Sequence, residues 1–457
     1  RGAPPDVEPA ESLLVNARVY TMNAARQWAD TVAIRKGRIV YVGTRDGARS
    51  LLGESTREVD LQGQMVLPAF QDVHIHPVHG GLGHTRCPLF ELESLDEVLA
   101  AIASCARDKP DADHIRADGW NWGIFIGGAG PDKTLLDAID SKRPIVAGDS
   151  DGHTLWVNSP ALALAGITAD TADPDGGEIG RDPASGEPTG ALLEGPAMEL
   201  VSGALPPDTL EQQLEALRYA QRYLHSVGVT AIQDAIVNLT GNGPYQTLPA
   251  YTALRDSGEM KLRVSAALYW EPGAGLAQVA AMERARDAHS SGRLRVSTVK
   301  FWADGILESR TAKLLEPYSD QPATDGLLMV PLEELQSGVP ALDLAGFQVH
   351  IHTIGDATVR HALDAVEASR IANGVRDARH LTAHTQIVHP DDMDRFAKLD
   401  VIAGFSPYWA YNDEYVAIIN PPQVGPARMA QMYPIGRVAR TGARIAFGSD
   451  WSVSSAN

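Results

Sequence analysis

MVLPAFQDVHIHP, residues 65–77, is a short apolar run that ends in two histidines. His74 and His76 stand at i and i+2, so on a β-strand both side chains point to the same side. Seven more runs of this kind follow: GVTAIQD (228–234), LRVSAALYW (262–270), VSTVKFWAD (296–304), FQVHIH (347–352), RHLTAH (379–384), DVIAGFS (400–406) and RIAFGSD (444–450). Amphipathic stretches separate several of them, among them TLEQQLEALRYAQRYLHSVG (209–228) and ATVRHALDAVEASRIANG (357–374). Eight alternating βα units predict an α/β fold, a (β/α)₈ TIM-like barrel with its chemistry at the carboxyl ends of the strands.

Outward from this frame the chain changes character twice. Residues 11–64 read as short alternating strands punctuated by Gly37, Gly43 and Gly63, which predicts the N-terminal part of a small β-sandwich domain. Residues 1–10 are Pro-rich and read as a flexible tail. The barrel would then occupy 65–457. Between the first and second runs, residues 80–208 exceed any single crossover, so they are expected to be an insertion after barrel strand 1. Such an insertion leaves from the catalytic face, which makes it a candidate lid and substrate subdomain; the alternative is a purely structural or oligomer-forming insert.

Composition narrows the function. The formal net charge of −19 argues against nucleic acid and anionic membrane as partners, since both call for basic surface. No apolar run reaches the ~18 residues needed to span a bilayer. The expected partner is a small-molecule substrate; a homo-oligomer stays open. Cys87 and Cys105 form no disulfide framework, and two unlinked thiols are the preferred reading. The compartment is left open: cytoplasmic, or periplasmic or secreted if a leader was removed before Arg1.

A lone H-x-H is weak, because chance pairs are common in a chain with 14 histidines. Four later runs strengthen it, since each ends in a ligand-type residue: Lys300 on the fourth, His352 on the fifth, His384 on the sixth and Asp450 on the eighth. Read alone, Lys300 is an ordinary strand lysine paired to Asp304. His350 shares a face with His352 and reads as a packing residue or one that supports a ligand. His79 and His84 follow the motif on a loop and read as surface or supporting residues. In the insertion, GHTLWVNSPALALAGI carries His153 and Trp156, which suit substrate contact; for His153, holding the fold of the insert is an equal alternative. Asp304 is a weaker candidate for substrate contact.

In this order the pattern resembles the amidohydrolase superfamily, and more narrowly the amidohydrolase 3 (YtcJ-like) family, which includes N-substituted formamide deformylases. The similarity runs from about residue 11 to the end and includes LPAFQDVHIHP, GHTLWVNSPALALAGI, KFWADG, HTIGDAT and GSDW. The resemblance implies that His74, His76 and Asp450 bind the more buried of two divalent metal ions, with Zn²⁺ the expected metal. His352 and His384 would bind the more exposed one, and Lys300, as N6-carboxylysine, would bridge the two. It implies hydrolysis of a non-peptide C–N bond, in an N-substituted amide or formamide, by a metal-bridging hydroxide. Asp450 would be the catalytic residue that carries the proton to the leaving nitrogen. Alternatives on the same scaffold are a lactonase or esterase, a mononuclear deaminase, and a non-catalytic regulatory or binding member. The chain ends seven residues after Asp450, so the helix of the last βα unit and the strands that would complete the sandwich are expected to lie beyond Asn457.

Overall fold

In the computed structural model, residues 8–125, 130–150, 152, 154–174, 177–239, 245–412 and 415–457 are described. The chain divides into two compact units, 1–70 and 71–457.

The first unit is built from two small sheets. One has strand order Arg38–Gly43, Thr31–Arg35, Ser12–Val15, Arg57–Asp60; the other has Trp28–Ala29, Arg18–Tyr20, Met65–Val66. Alternation decides their inner faces. Leu13 and Val15 face inward with Ala33 and Leu51, while Val19 packs with Ala17 and Val32.

In the second unit, with only Phe70 of the first strand before its boundary, eight parallel strands succeed one another in chain order: β1 (Phe70–Ile75), β2 (Val229–Val237), β3 (Arg263–Tyr269), β4 (Leu294–Trp302), β5 (Gln348–Thr353), β6 (Leu381–His384), β7 (Ile402–Phe405) and β8 (Ile445–Phe447). All eight fall on the predicted runs. The turn after β8 joins the last strand to the first: Asp450 N–H donates to the His74 carbonyl (2.8 Å), and His76 N–H donates to the Trp451 carbonyl (2.8 Å). Those bonds close the barrel. Both predicted helices form. Leu210–Ser226 starts at a Thr209–Gln212 capping box, and Asp356–Asn373 stops at Gly374 (φ 80°). No helix among the described residues is long and apolar enough to cross a membrane.

The insertion after β1 has a fold of its own. Its five-stranded sheet runs Glu178–Arg181, Pro188–Leu193, Thr154–Val157, Ile145–Asp149, Ile115–Trp120. Separate apolar clusters cover the two faces, one built on Trp120, Phe125 and Trp156, the other on Val157, Ile179 and Leu192.

The structure corrects the expectation of two free thiols. Cys87 and Cys105 form a disulfide, with Cα atoms 5.9 Å apart. The helix Leu95–Asp108, started by a Ser94–Glu97 capping box, folds back over the segment that precedes it. Its buried face meets Cys87, which is itself 1% exposed. A crosslink across a separation of 18 residues restricts the unfolded chain by about 3 kcal/mol on a loop-entropy basis. Cys87→Ser is therefore expected to lower the urea midpoint relative to the oxidised parent, and adding reductant to the parent should reproduce the loss. Equal midpoints would show that the bridge contributes nothing to stability.

Candidate metal centre

Every ligand-type residue singled out at a strand end lies at the mouth side of the barrel, because β-strand periodicity turns alternate residues inward and the polar ones come last. His74 and His76 leave β1, and Asp450 follows β8. Their ligand atoms all lie within 4.8 Å of one another. Asp450 Oδ1 stands 3.5 Å from His74 Nε2 and 3.2 Å from His76 Nε2. No hydrogen-bond donor is aligned on this buried oxygen, close as the two Nε2 atoms are, and His76 Nδ1 is likewise buried without a partner. Leaving a carboxylate oxygen in that state costs several kcal/mol unless a cation compensates it. The donor set of two imidazoles and one carboxylate therefore fits a divalent metal.

A second group adjoins the first. The His384 ring lies 4.6 Å from that of His74 and 4.7 Å from that of His352. Lys300 is 2% exposed and sits on β4 opposite His350 of β5. Burial lowers its amine to about 7, against the upward pull of Asp450 and then Asp304. Burial likewise holds His74, His352 and His384 well below the ordinary imidazole range, which leaves them neutral, the form that has a lone pair to give. Burial alone would raise the Asp450 carboxyl, but neighbouring His76, then His384 and Lys300, bring it below its usual value.

The backbone is bent to present these groups. His384 (φ 67°), Thr385 (φ 46°) and Asp450 (φ 56°) adopt left-handed conformations, which cost roughly 1–3 kcal/mol each for ordinary side chains. Fixed neighbours hold them there. Asp72, two residues before His74 and on its face, accepts from the N–H groups of His74 (3.0 Å) and Ser449 (3.1 Å). Trp409 lies flat under the His384 ring at 4.7 Å and 4°, and Ser406 Oγ is 3.2 Å from His384 Nδ1. Strand period could have pointed to Asp72. Nothing in the sequence marks Trp409, which a short 3₁₀ helix, Pro407–Ala410, delivers just beyond β7.

Two of the proposed substrate contacts are corrected. Trp156 is wholly buried; its ring sits 5.3 Å from that of Phe125 and 6.3 Å from that of Trp120, and its indole N–H donates to the Asp132 carbonyl. The insertion buries this aromatic cluster internally, so Trp156 is part of the core of the insert and presents no surface to a substrate, while Trp122 stays 41% exposed. Asp304 is 0% exposed, and its oxygens accept from His352 Nδ1 (3.0 Å), Gly355 N (2.9 Å) and Thr358 Oγ1 (2.8 Å) among others. It fixes the His352 ring with Nε2 directed away from itself, and it is not the ordinary partner of Lys300. His153 lies outside the described residues. His79 and His84 belong to the helix Pro77–Thr85, not to a loop, and His84 stacks between Phe90 and Tyr219. Trp302, 41% exposed, stands beside His352 with ring centres 5.9 Å apart.

Comparison with known proteins agrees with this architecture. The amidohydrolase 3 family model, described as Amidohydrolase family, matches residues 57–457. Protein LONG AFTER FAR-RED 3 of Arabidopsis thaliana is 32% identical over 99% of this chain and 77% of its own. N-substituted formamide deformylase of Arthrobacter pascens is 27% identical over 96% of this chain and 80% of its own. A crystal structure of an uncharacterized metal-dependent hydrolase from Pyrococcus furiosus superposes with a TM-score of 0.76, at 24% identity over 97% of this chain and 86% of that one, and so shares the fold. With a family match over most of its length, on an eight-stranded barrel, the chain belongs to the Amidohydrolase family.

Proposed function

We propose that this protein hydrolyses a non-peptide C–N bond in an N-substituted amide or formamide, using two divalent cations, zinc being the best match to the donors. The observation that carries the reading is the buried Asp450 oxygen, on which no hydrogen-bond donor is aligned although the Nε2 atoms of His74 and His76 flank it. The similarity to a formamide deformylase supports the bond class.

His74, His76 and Asp450 would hold one cation, and His352 and His384 the other. Lys300 suits the bridge as a carbamate. Its amine, lowered to about 7 by burial, is in part neutral at physiological pH. A neutral amine adds to CO₂ through its lone pair and loses a proton, which turns a cation into an anionic two-oxygen ligand. The metals would lower the pKa of water and polarise the substrate carbonyl. Asp450 then accepts a proton from the attacking water and passes it to the departing nitrogen, as the C–N bond breaks. Trp302, beside His352, and Trp409, against His384, give that side of the site apolar walls that favour binding of a substrate over bulk water.

A mononuclear site of deaminase type is the second reading. It is favoured by one observation: among the described residues only His74, His76 and Asp450 converge as a group of three. Metal analysis separates the two. Protein loaded in the presence of CO₂ is expected to hold about two divalent ions per chain and to release amine and acid from members of an N-substituted formamide and amide panel. One ion per chain at full turnover selects the mononuclear site. No hydrolysis of any panel member by fully loaded protein refutes the proposed bond class.

A further inference from the structure

The interior of the barrel below His74 is polar where a packed barrel normally holds branched aliphatic side chains. His74 Nδ1 lies 2.9 Å from His350 Nε2, and His350 Nδ1 lies 2.6 Å from the Gln233 amide. Beyond that amide, Thr298 Oγ1 is 3.5 Å from Gln233 and 3.0 Å from Gln348 Oε1. Gln348 in turn donates to the Arg379 carbonyl. His350 is 0% exposed, Thr298 1% and Gln233 8%, so water does not compete for the bonds among them, and only the Gln348–Arg379 end of the chain is exposed. A continuous hydrogen-bonded chain thus runs from β1 through β2, β4 and β5 to the segment that precedes β6.

We propose that His350 and Gln233 are positioning residues that set the tautomer of His74 and thereby make its Nε2 available to a metal. The inference rests on the metal-centre reading above. The logic is donor counting. Each neutral imidazole has one N–H and one lone pair. If His74 Nε2 gives its lone pair to a cation, the His74 proton is on Nδ1 and is donated to His350 Nε2. The His350 proton is then on Nδ1, and Gln233 must present its carbonyl oxygen there. That requires a half-turn of the Gln233 amide relative to the orientation described, in which Nε2 faces His350. After the half-turn Gln233 Nε2 donates to Thr298 Oγ1, and the single Thr298 proton goes to Gln348 Oε1 at 3.0 Å, which leaves the Ser265 hydroxyl, 3.2 Å away, to donate to Thr298 as well. Every member then donates once along the chain, which ends at the Arg379 carbonyl.

In the opposite polarity Gln233 Nε2 donates to His350 Nδ1, and His350 Nε2–H donates to His74 Nδ1. The His74 proton then sits on Nε2, directed at Asp450 and blocking the lone pair. Thr298 has one proton for two carbonyl oxygens in that arrangement. The relay is therefore a two-state element, and cation binding at His74 selects one state. Partners that orient a metal-bound histidine in this way are commonly worth 10- to 100-fold in metal affinity.

The test reads zinc binding, by competition against a chromophoric chelator, and does not depend on turnover. Gln233→Leu removes the acceptor and is expected to weaken zinc binding about 10- to 100-fold. Gln233→Glu keeps an acceptor facing His350 and is expected to stay within about threefold of the parent, a recovery that a purely packing role would not give. If Gln233→Leu, with an unchanged melting temperature in the absence of metal, binds zinc within twofold of the parent, the proposal is overturned. Should that variant fail to fold, histidine-¹⁵N spectra of the zinc-loaded parent decide: a proton on His74 Nδ1 supports the relay, and a proton on Nε2 overturns it. Weakened binding in a protein that hydrolyses no amide keeps the relay and rejects the proposed reaction. Normal hydrolysis with zinc affinity insensitive to Gln233 does the reverse. A parent that binds no zinc overturns both.

Discussion

Replacing Lys300 with alanine is expected to lower turnover by about 10³-fold, because the bridge would contribute several kcal/mol of transition-state stabilisation through the metals it holds. Bound metal should fall below two ions per chain in the same protein. The expectation follows from the surroundings of the amine. Lys300 is 2% exposed, lies among His74, His350, His352 and His384, and feels Asp450 and Asp304. With so little exposure, an ordinary ammonium there gains almost no hydration. Alanine leaves a gap of the size of the side chain, and small carboxylic acids such as formate, acetate or propionate can enter it and place two oxygens where the carbamate would be. Partial recovery of activity and metal content with such acids is therefore part of the expected result. The measurement is metal content by plasma mass spectrometry alongside steady-state rates. Two ions per chain with parental turnover would remove Lys300 from the bridge.

The second large effect is on Asp450. Asp450→Asn should reduce kcat by about 10²–10⁴-fold, the usual contribution of a positioned acid–base group, with a smaller loss of metal. The substitution is unusually clean for a structural reason. Asp450 has φ 56°, a conformation in which asparagine is one of the few tolerated residues, so the turn that closes the barrel should survive. Its backbone bonds, N–H to His74 O and O from Val453 N–H, do not involve the side chain. The amide can still offer an oxygen to a cation but cannot take up a proton. Unchanged kcat at full metal loading would remove Asp450 from proton transfer. A variant that loses all metal would make it a ligand first and leave its proton role to the rate measured after reconstitution at high zinc.

Much of this site can be read along the chain because barrel geometry translates strand position into place. A residue at the end of a β-strand, on the inward phase, must appear at one mouth, whatever separates it in sequence from its neighbours. That is why His74, Lys300, His352 and His384 stand out from strand position, with His76 just past the end of β1 and Asp450 in the turn after β8, and why Asp72, on the phase of His74, is legible in the same way. Strand phase stops being a guide where a contact depends on which of two faces a sheet buries. In the insertion, Trp156 alternates with Leu155 and Val157 between two apolar clusters, and the alternation is as hydrophobic on one side as on the other. Pattern alone could not tell a core tryptophan from one facing a substrate. The same limit applied to Asp304. As a carboxylate near a strand end it suited substrate contact, but the turn after β5 brings the N–H groups of Ile354 and Gly355 onto it, and with His352 Nδ1, Thr358 Oγ1 and the Lys313 N–H they occupy both its oxygens.

Local chemistry, then, was determined by the sequence itself. Strand phase, capping residues such as Thr209 and Gln212, and the polar ends of eight apolar runs specify elements through interactions that span only a few residues. Long-range pairings were decided by the tertiary structure alone. Cys87 meets Cys105 because a capped helix folds back on the segment before it, and His74 meets His350 and Gln233 because three strands far apart in sequence share one barrel interior. Distances of that kind are set by how closely helices and strands pack, a property of the whole assembled chain that no short window of residues encodes.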